Sequence, residues 1–224
     1  MDGLRGQLSI REKFIIRYLG LQPWIPVCIA MHNFTKNRID FTLDELWLVE
    51  HWPIFTQGKS EQDQKIIPHC DIPVMQGDRG GKITYHGPGQ LVMYVMINLK
   101  NRIISVRNLV SRIEKSVIET LKLFNIHAHL RQNAPGVYIT DKKICSIGLR
   151  IYQGCSLYGF SVNISMDLTP FQHINPCGEY DLEMTQLSSF NPNVSLLEFQ
   201  QVLVNKFLSY FTTVFEKFSP LSKS

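Results

Sequence analysis

Arg79-Gly80-Gly81-Lys82-Ile83-Thr84-Tyr85-His86-Gly87-Pro88-Gly89-Gln90 runs directly into the apolar stretch Leu91–Leu99. A glycine has no Cβ, so a chain with Gly80, Gly81, Gly87 and Gly89 can lie flat against a ligand and turn where φ is positive. The apolar run after it reads as a strand, and a loop mounted on a rigid strand is where binding residues concentrate. The segment lacks the G-x-x-x-x-G-K-[ST] spacing and does not read as G-x-G-x-x-G, which sets aside the common nucleotide-phosphate loops. His86 is fixed inside it, either as a structural histidine bonding the loop backbone or as a site residue.

Working outward, the chain divides into α and β segments. Toward the N-terminus, Lys13 to Leu19 reads as a strand, Leu21 to Pro26 as a turn, and Pro26 as the first residue of a short helix through Phe34. Leu46 to His51 and Ile54 to Gln57 read as strand, bent at Pro53. Thr42-x-x-Glu45 matches a capping box, but Pro53 leaves room for barely two turns, so strand is preferred. Gly58 to Gln64 is a polar loop and Ile72 to Gln76 a short strand. Toward the C-terminus, Ser105 to Phe124 is the clearest helix, with Val106, Leu109, Val110, Ile113, Val117, Leu121 and Phe124 at helical spacing. The period then changes to two. Gly136 to Thr140, Lys143 to Tyr152 and Cys155 to Ile164 form three antiparallel strands, with turns at Asp141-Lys142 and Gln153-Gly154. Asp167 to Phe190 is irregular, and a loop that long is usually functional. Ser195-x-x-Glu198 opens a last helix, with Leu196, Phe199, Val202, Leu203, Phe207 and Phe211 as its buried stripe. Strands around one central helix, with further helices flanking, imply an α+β fold: a single domain, residues 1–224, with a mixed β-sheet.

The formal charge of +4 is too small to imply nucleic acid but suits an acidic protein partner. No signal peptide is visible, and the uncharged stretch Tyr18 to Met31 is broken by Pro23 and Pro26 and too short to span a bilayer. Cys28, Cys70, Cys145, Cys155 and Cys177 include no C-x-x-C pair, so reduced thiols in a cytoplasmic protein are the simplest reading.

Cys177 stands apart from the others. It lies between Pro176 and Gly178 in the polar loop, held by its backbone and partly exposed, whereas Cys28 fits the buried face of a short helix and Cys145 and Cys155 fit strands; Cys70, beside His69, is the other loop cysteine. A site from His69, Cys70, His173 and Cys177 matches no common zinc spacing. A free thiol near its reference pKa of about 8.5 is only a few per cent thiolate at neutral pH, so a nucleophilic cysteine needs a cationic neighbour. Lys143, opening the strand Lys143-Ile144-Cys145-Ser146-Ile147-Gly148, is either a solvated hairpin lysine or that neighbour. Nucleophile, lysine and glycine segment together would make an acyl-transfer site.

Five ordered motifs sharpen this: Glu45-Leu46-Trp47-Leu48-Val49-Glu50-His51, Arg79-Gly80-Gly81-x-x-Thr84-Tyr85-His86-Gly87-Pro88-Gly89-Gln90, Gly136-Val137-Tyr138, Lys143-Ile144-Cys145-Ser146-Ile147-Gly148 and Asn175-Pro176-Cys177-Gly178. Together they resemble the octanoyltransferase family of lipoate biosynthesis over nearly the whole chain. The resemblance implies a fold shared with the catalytic module of biotin and lipoate protein ligases. It implies transfer of an octanoyl group from octanoyl-acyl carrier protein to a lysine on lipoyl domains of 2-oxoacid dehydrogenases and the glycine cleavage H protein. Cys177 would carry the acyl chain as a thioester, and Lys143 would lower its pKa and shuttle protons. Arg79, Gly80, Gly81, Lys82, Ile83, Thr84, Tyr85 and His86 would line the acyl site with Ser146, Ile147, Gly148, Gly159, Phe160 and Ser161. A thioester already holds the energy to make an amide, so the resemblance implies no cofactor and no metal, and no nucleic acid or membrane as partner. Tyr158 departs from the pattern, because the family usually has histidine there. An ATP-dependent lipoate ligase on the same fold would need no catalytic cysteine, and a non-catalytic acyl-carrier-binding domain would form no covalent adduct.

Overall fold

The computed structural model describes residues 7–11, 14–59, 71–174 and 182–211. Its centre is β7 (Gln90–Met96), buried at every position because it is covered on both faces. Period-two alternation divides that strand. Leu91, Met93 and Val95 point into the core formed with α3 (Val106–Leu123) and α4 (Leu196–Ser209). Val92, Tyr94 and Met96 point into the core formed with α1 (Trp24–Lys36).

Around β7 lies an eight-stranded sheet in the order β1 (Gln7–Arg11), β2 (Phe14–Gln22), β3 (Asp44–His51), β7, β11 (Cys155–Asn163), β10 (Lys142–Tyr152), β9 (Ala134–Ile139) and β8 (His129–Arg131). Strands β2 and β3 run parallel, and the other neighbours are antiparallel, so the sheet is mixed. A second sheet, β5 (Val74–Gln76), β4 (Ile54–Gln57) and β6 (Thr84–His86), packs Phe55 and Tyr85 with Ile83, Phe171 and Ile174.

Helix α3 follows its sequence closely. Ser105 Oγ accepts from the Asn108 N–H at 3.1 Å, and Leu109, Ile113, Val117 and Leu121 are each fully buried. Each such side chain contributes about 1.5–3 kcal/mol. In α4, Ser195 Oγ caps the Glu198 N–H at 3.1 Å. Its buried face includes Val204 and Leu208 besides the expected Phe199, Leu203 and Phe207; Phe211 is buried just past the helix end, and Leu196 and Val202 are only half-buried.

Four local expectations need correction. β2 continues to Gln22 and α1 begins at Trp24, with Pro23 as its N-cap and Pro26 inside its first turn. The turn between β9 and β10 falls at Thr140-Asp141, one residue early, with Thr140 at φ 51°. The glycine segment is not one loop: Thr84–His86 pairs antiparallel with Ile54, Phe55 and Thr56. Within Asp167 to Phe190 the described residues include the 3₁₀ turns Thr169–His173 and Leu187–Ser189.

Asp44 ties three elements together. Its carboxylate is buried and accepts from Arg38 Nη2 (2.6 Å), from Arg102 Nε (2.8 Å) in the short helix α2 (Leu99–Arg102) and from the Asn98 N–H (2.8 Å). Asp44→Ala leaves two guanidinium groups without their shared anion and should cost about 3 kcal/mol, since breaking a buried pair strands a charge. Urea unfolding checks this; a loss below about 1 kcal/mol would show the carboxylate to be dispensable.

Candidate active site

The site grows from a run of small residues on two central strands. Ser146 pairs with Ser161 and Gly148 with Gly159 across β10 and β11, and Ser161 and Gly159 pair in turn with Val92 and Tyr94 on β7. The missing side chains leave space on the sheet. A Cβ on Gly148 would meet Arg79 Cδ at 3.1 Å, so glycine there lets the segment from Arg79 lie against β10. The Gly80 N–H donates to Leu149 O at 2.8 Å, and the Lys59 N–H donates to Arg79 O at 2.9 Å, so the segment is stitched on both sides.

Between the sheet and this segment is a cavity of about 230 Å³. Arg79, Gly81, Lys82, Ile83, Thr84, His86, Ser146, Ile147, Gly148, Gly159, Phe160 and Ser161 line it, together with Lys143. Gly80 and Tyr85 are not on its wall: Gly80 spends its backbone on Leu149 and Arg79, and the Tyr85 ring packs between Phe55 and Phe171. The sequence reading did not single out Trp24, Thr56, Val92, Tyr94, the β8–β9 turn residue Asn133 or Ala134 and Pro135 at the start of β9, which complete the lining with Tyr158. Ligand cavities typically run from about 300 Å³ upward, so this one suits a slender group.

Lys143 is 1% exposed, so it is not a solvated hairpin lysine. Its Nζ donates to Pro135 O at 3.2 Å and lies 5.1 Å from the centre of the Tyr138 ring. Gly136, at φ +131°, makes room for it: a Cβ there would meet Cys145 O at 2.5 Å and Lys143 Cε at 3.1 Å. The Lys143 backbone is held by the far part of the irregular stretch Asp167–Phe190. Its N–H donates to Glu183 O and its carbonyl accepts from the Thr185 N–H, both at 2.9 Å. Cys177 lies outside the described residues, as do His69 and Cys70. Cys145 is fully buried, and desolvation raises its thiol pKa far above the usual range. Among the described residues no three His, Cys, Asp or Glu side chains come together to hold a metal.

Behind the cavity wall runs a buried polar chain. Arg79 Nη2 donates to Thr56 O (2.6 Å) and Thr56 Oγ1 (3.1 Å). Gln90 Nε2 donates to Tyr85 O and Asn163 Oδ1, so Gln90 Oε1 accepts from His86 Nδ1–H at 2.7 Å. His86 Nε2 is then an acceptor for the Thr56 hydroxyl at 3.2 Å. Asn163 Nδ2 closes the chain on Thr185 O at 2.9 Å. His86 therefore reads as structural and as cavity-lining at once. Asn163 was detectable as a polar residue ending the mostly apolar run of β11.

A second imidazole lies behind the first, with ring centres 6.0 Å apart. His51 Nδ1–H donates to Gln22 O at 2.9 Å, and Nε2 accepts from Tyr94 Oη at 2.8 Å. Burial lowers the pKa of His51 to about 4, and burial with His51 nearby lowers that of His86 to about 3. Both are neutral at pH 7.

Comparison with known proteins agrees with this architecture. Residues 28–208 match the model of the lipoyl protein ligase A/B catalytic domain. A protein of Erwinia tasmaniensis named octanoyltransferase is 57% identical over 196 residues, 88% of each chain. Among solved structures, a bipartite lipoate protein ligase from Thermoplasma acidophilum aligns with a TM-score of 0.70 at 14% identity, covering 90% of this chain and 84% of that one. Biotin protein ligase from Aquifex aeolicus, in complex with biotin and ATP, aligns at 0.54 and 12%, covering 88% and 69%. At such identities these two establish the fold alone, whereas the family match and the close relative establish descent. The chain belongs to the lipoyl protein ligase A/B catalytic-domain family, among its octanoyltransferases.

Proposed function

We propose that this chain, as one catalytic domain, moves an octanoyl group from octanoyl-acyl carrier protein to the ε-amine of a lysine on lipoyl domains, among them those of 2-oxoacid dehydrogenases and the glycine cleavage H protein. The observation that carries the reading is a fully buried lysine, Lys143, at the wall of a narrow cavity roofed by the Arg79–Thr84 segment. In this reading Cys177 passes its proton to Lys143 and its thiolate attacks the thioester carbonyl; Lys143 returns that proton to the departing sulfur, so the carrier leaves as a free thiol, Lys143 is left neutral and the enzyme holds the acyl group as a thioester. The acceptor amine, deprotonated by Lys143, then attacks that thioester, and the Cys177 sulfur leaves. Backbone amides near Gly148 hold the oxyanion in both steps.

Two described features support pairing Cys177 with Lys143. Ile174, just before the segment that contains Cys177, is buried beside Phe171, and Glu183 and Thr185, just after it, bond to the Lys143 backbone. Each methylene taken out of water contributes about 0.8 kcal/mol, so a cavity of fixed length can select an acyl chain. No helix among the described residues is long and apolar enough to cross a membrane. A reducing cytoplasm would keep the proposed thiol nucleophile free.

Intact mass measurement after incubation with octanoyl-acyl carrier protein and no ATP tests the reading. The protein should gain one octanoyl group, the gain should vanish in Cys177→Ala, and added lipoyl domain should discharge it. A gain that requires ATP would mean a ligase, and no gain at all would mean a non-catalytic carrier-binding domain.

A further inference from the structure

Tyr158 is a bulky residue in the middle of β11 with φ +60°, in the left-handed region. Such a backbone is costly for a large side chain and persists only where the surroundings enforce it, which marks a place to look for function. Its effect is to reverse a direction. Alternation along β11 puts Leu157 in the α1 core and Phe160 and Val162 in the α3/α4 core, so Tyr158 belongs with the latter pair. Instead its ring sits in the α1 core, 6.3 Å from the Tyr94 ring, on the cavity wall.

The reversal carries the hydroxyl to the residue that precedes Arg79. Tyr158 Oη donates to Asp78 Oδ1 at 2.6 Å and faces the Asp78 N–H at 3.4 Å. Cys28 Sγ (3.5 Å) and His32 Nε2 (3.3 Å) on α1 meet the same oxygen. His32 Nε2 is also 3.2 Å from Asp78 Oδ1, and Arg150 of β10 pairs with Asp78 Oδ2. One carboxylate at the head of the cavity roof is thus gripped from α1, β10 and β11. The Asp78 carboxylate and the Arg150 guanidinium are partly exposed, so the hydroxyl is the least solvated member of the grip.

We infer that Tyr158 is a positioning residue for the acyl site, latching Asp78 so that the segment from Arg79 to Lys82 closes over the cavity. The inference rests on the octanoyl-transfer reading for its kinetic consequence, but not for the latch. Tyr158→Phe keeps the ring and the left-handed backbone and removes only the donor. Amide hydrogen exchange of that variant should speed up about tenfold or more at Gly80 and Lys59, whose N–H groups donate to Leu149 O and Arg79 O, with the amides of α3 unchanged. The KM for octanoyl-acyl carrier protein should rise about tenfold, with kcat within threefold and the melting temperature little altered. Asp78→Ala should do at least as much, and adding Tyr158→Phe to it should do nothing more, as partners in one interaction require. Unchanged exchange in Tyr158→Phe, or effects of the two substitutions that multiply, would overturn the latch. If wild-type protein forms no acyl adduct, the transfer reading fails while the exchange result still decides the latch.

Discussion

Lys143→Met should lower octanoyl transfer by about 10²–10⁴-fold, the range a positioned proton-transfer group contributes, while the protein stays folded. Methionine keeps most of the unbranched stem that fills the space beside Gly136 and loses the nitrogen that donates to Pro135 O. Placing an apolar side chain of similar length where the amine is 1% exposed removes a desolvation cost along with a hydrogen bond, so the melting temperature should move by only a few degrees. Single-turnover mass measurements separate the two halves of the reaction. If Lys143 activates the nucleophile, acyl-enzyme formation slows. If it deprotonates the acceptor, the adduct accumulates and is not discharged by lipoyl domain. Near-normal rates in both halves would remove Lys143 from the mechanism and leave it as packing.

The reason Lys143 could be named from sequence, yet not placed, lies in how the information is distributed. Elements with a clean period were legible: α3 from its apolar spacing and its Ser105 cap, and β10–β11 from alternation around Gln153-Gly154, both at positive φ as a two-residue turn requires. Segments whose conformation depends on a remote partner were not. Thr84–His86 is a strand only because Ile54–Thr56 lies beside it. The three-residue β8 has too little sequence to show a period and depends on β9. Tyr158 looks like one more alternating aromatic, and nothing local announces its left-handed backbone. The cavity follows the same rule. Its glycine and serine floor sits in recognisable motifs, but Trp24, Tyr94 and Pro135 reach the wall from three separate elements. The contact of Lys143 with Glu183 and Thr185 likewise joins a hairpin to the far end of an irregular stretch, beyond any window of periodicity.

Acidification from pH 7 to 4.5 should destabilise the protein by about 5 kcal/mol through His51 and His86 alone. Both are neutral in the folded state, with pKa values pushed down to about 4 and about 3, against about 6.5 in an unfolded chain. Below pH 6.5 the unfolded chain therefore binds more protons than the folded one. Stability is complete above that point and falls as pH drops, by about 1.4 kcal/mol per pH unit for each imidazole, until the folded-state values are reached. Each ring already has a fixed role that protonation would break: His51 Nε2 accepts from Tyr94, and His86 Nε2 accepts from Thr56. A proton on either nitrogen would set two donors against each other behind the cavity wall and place a charge where none is solvated. Urea unfolding across this pH range measures the slope. His51→Asn, which can still donate to Gln22 O, should remove about half of it. A stability flat from pH 7 to 4.5, or a slope unaltered in His51→Asn, would mean that these imidazoles are solvated and that the wall behind the cavity is open to water.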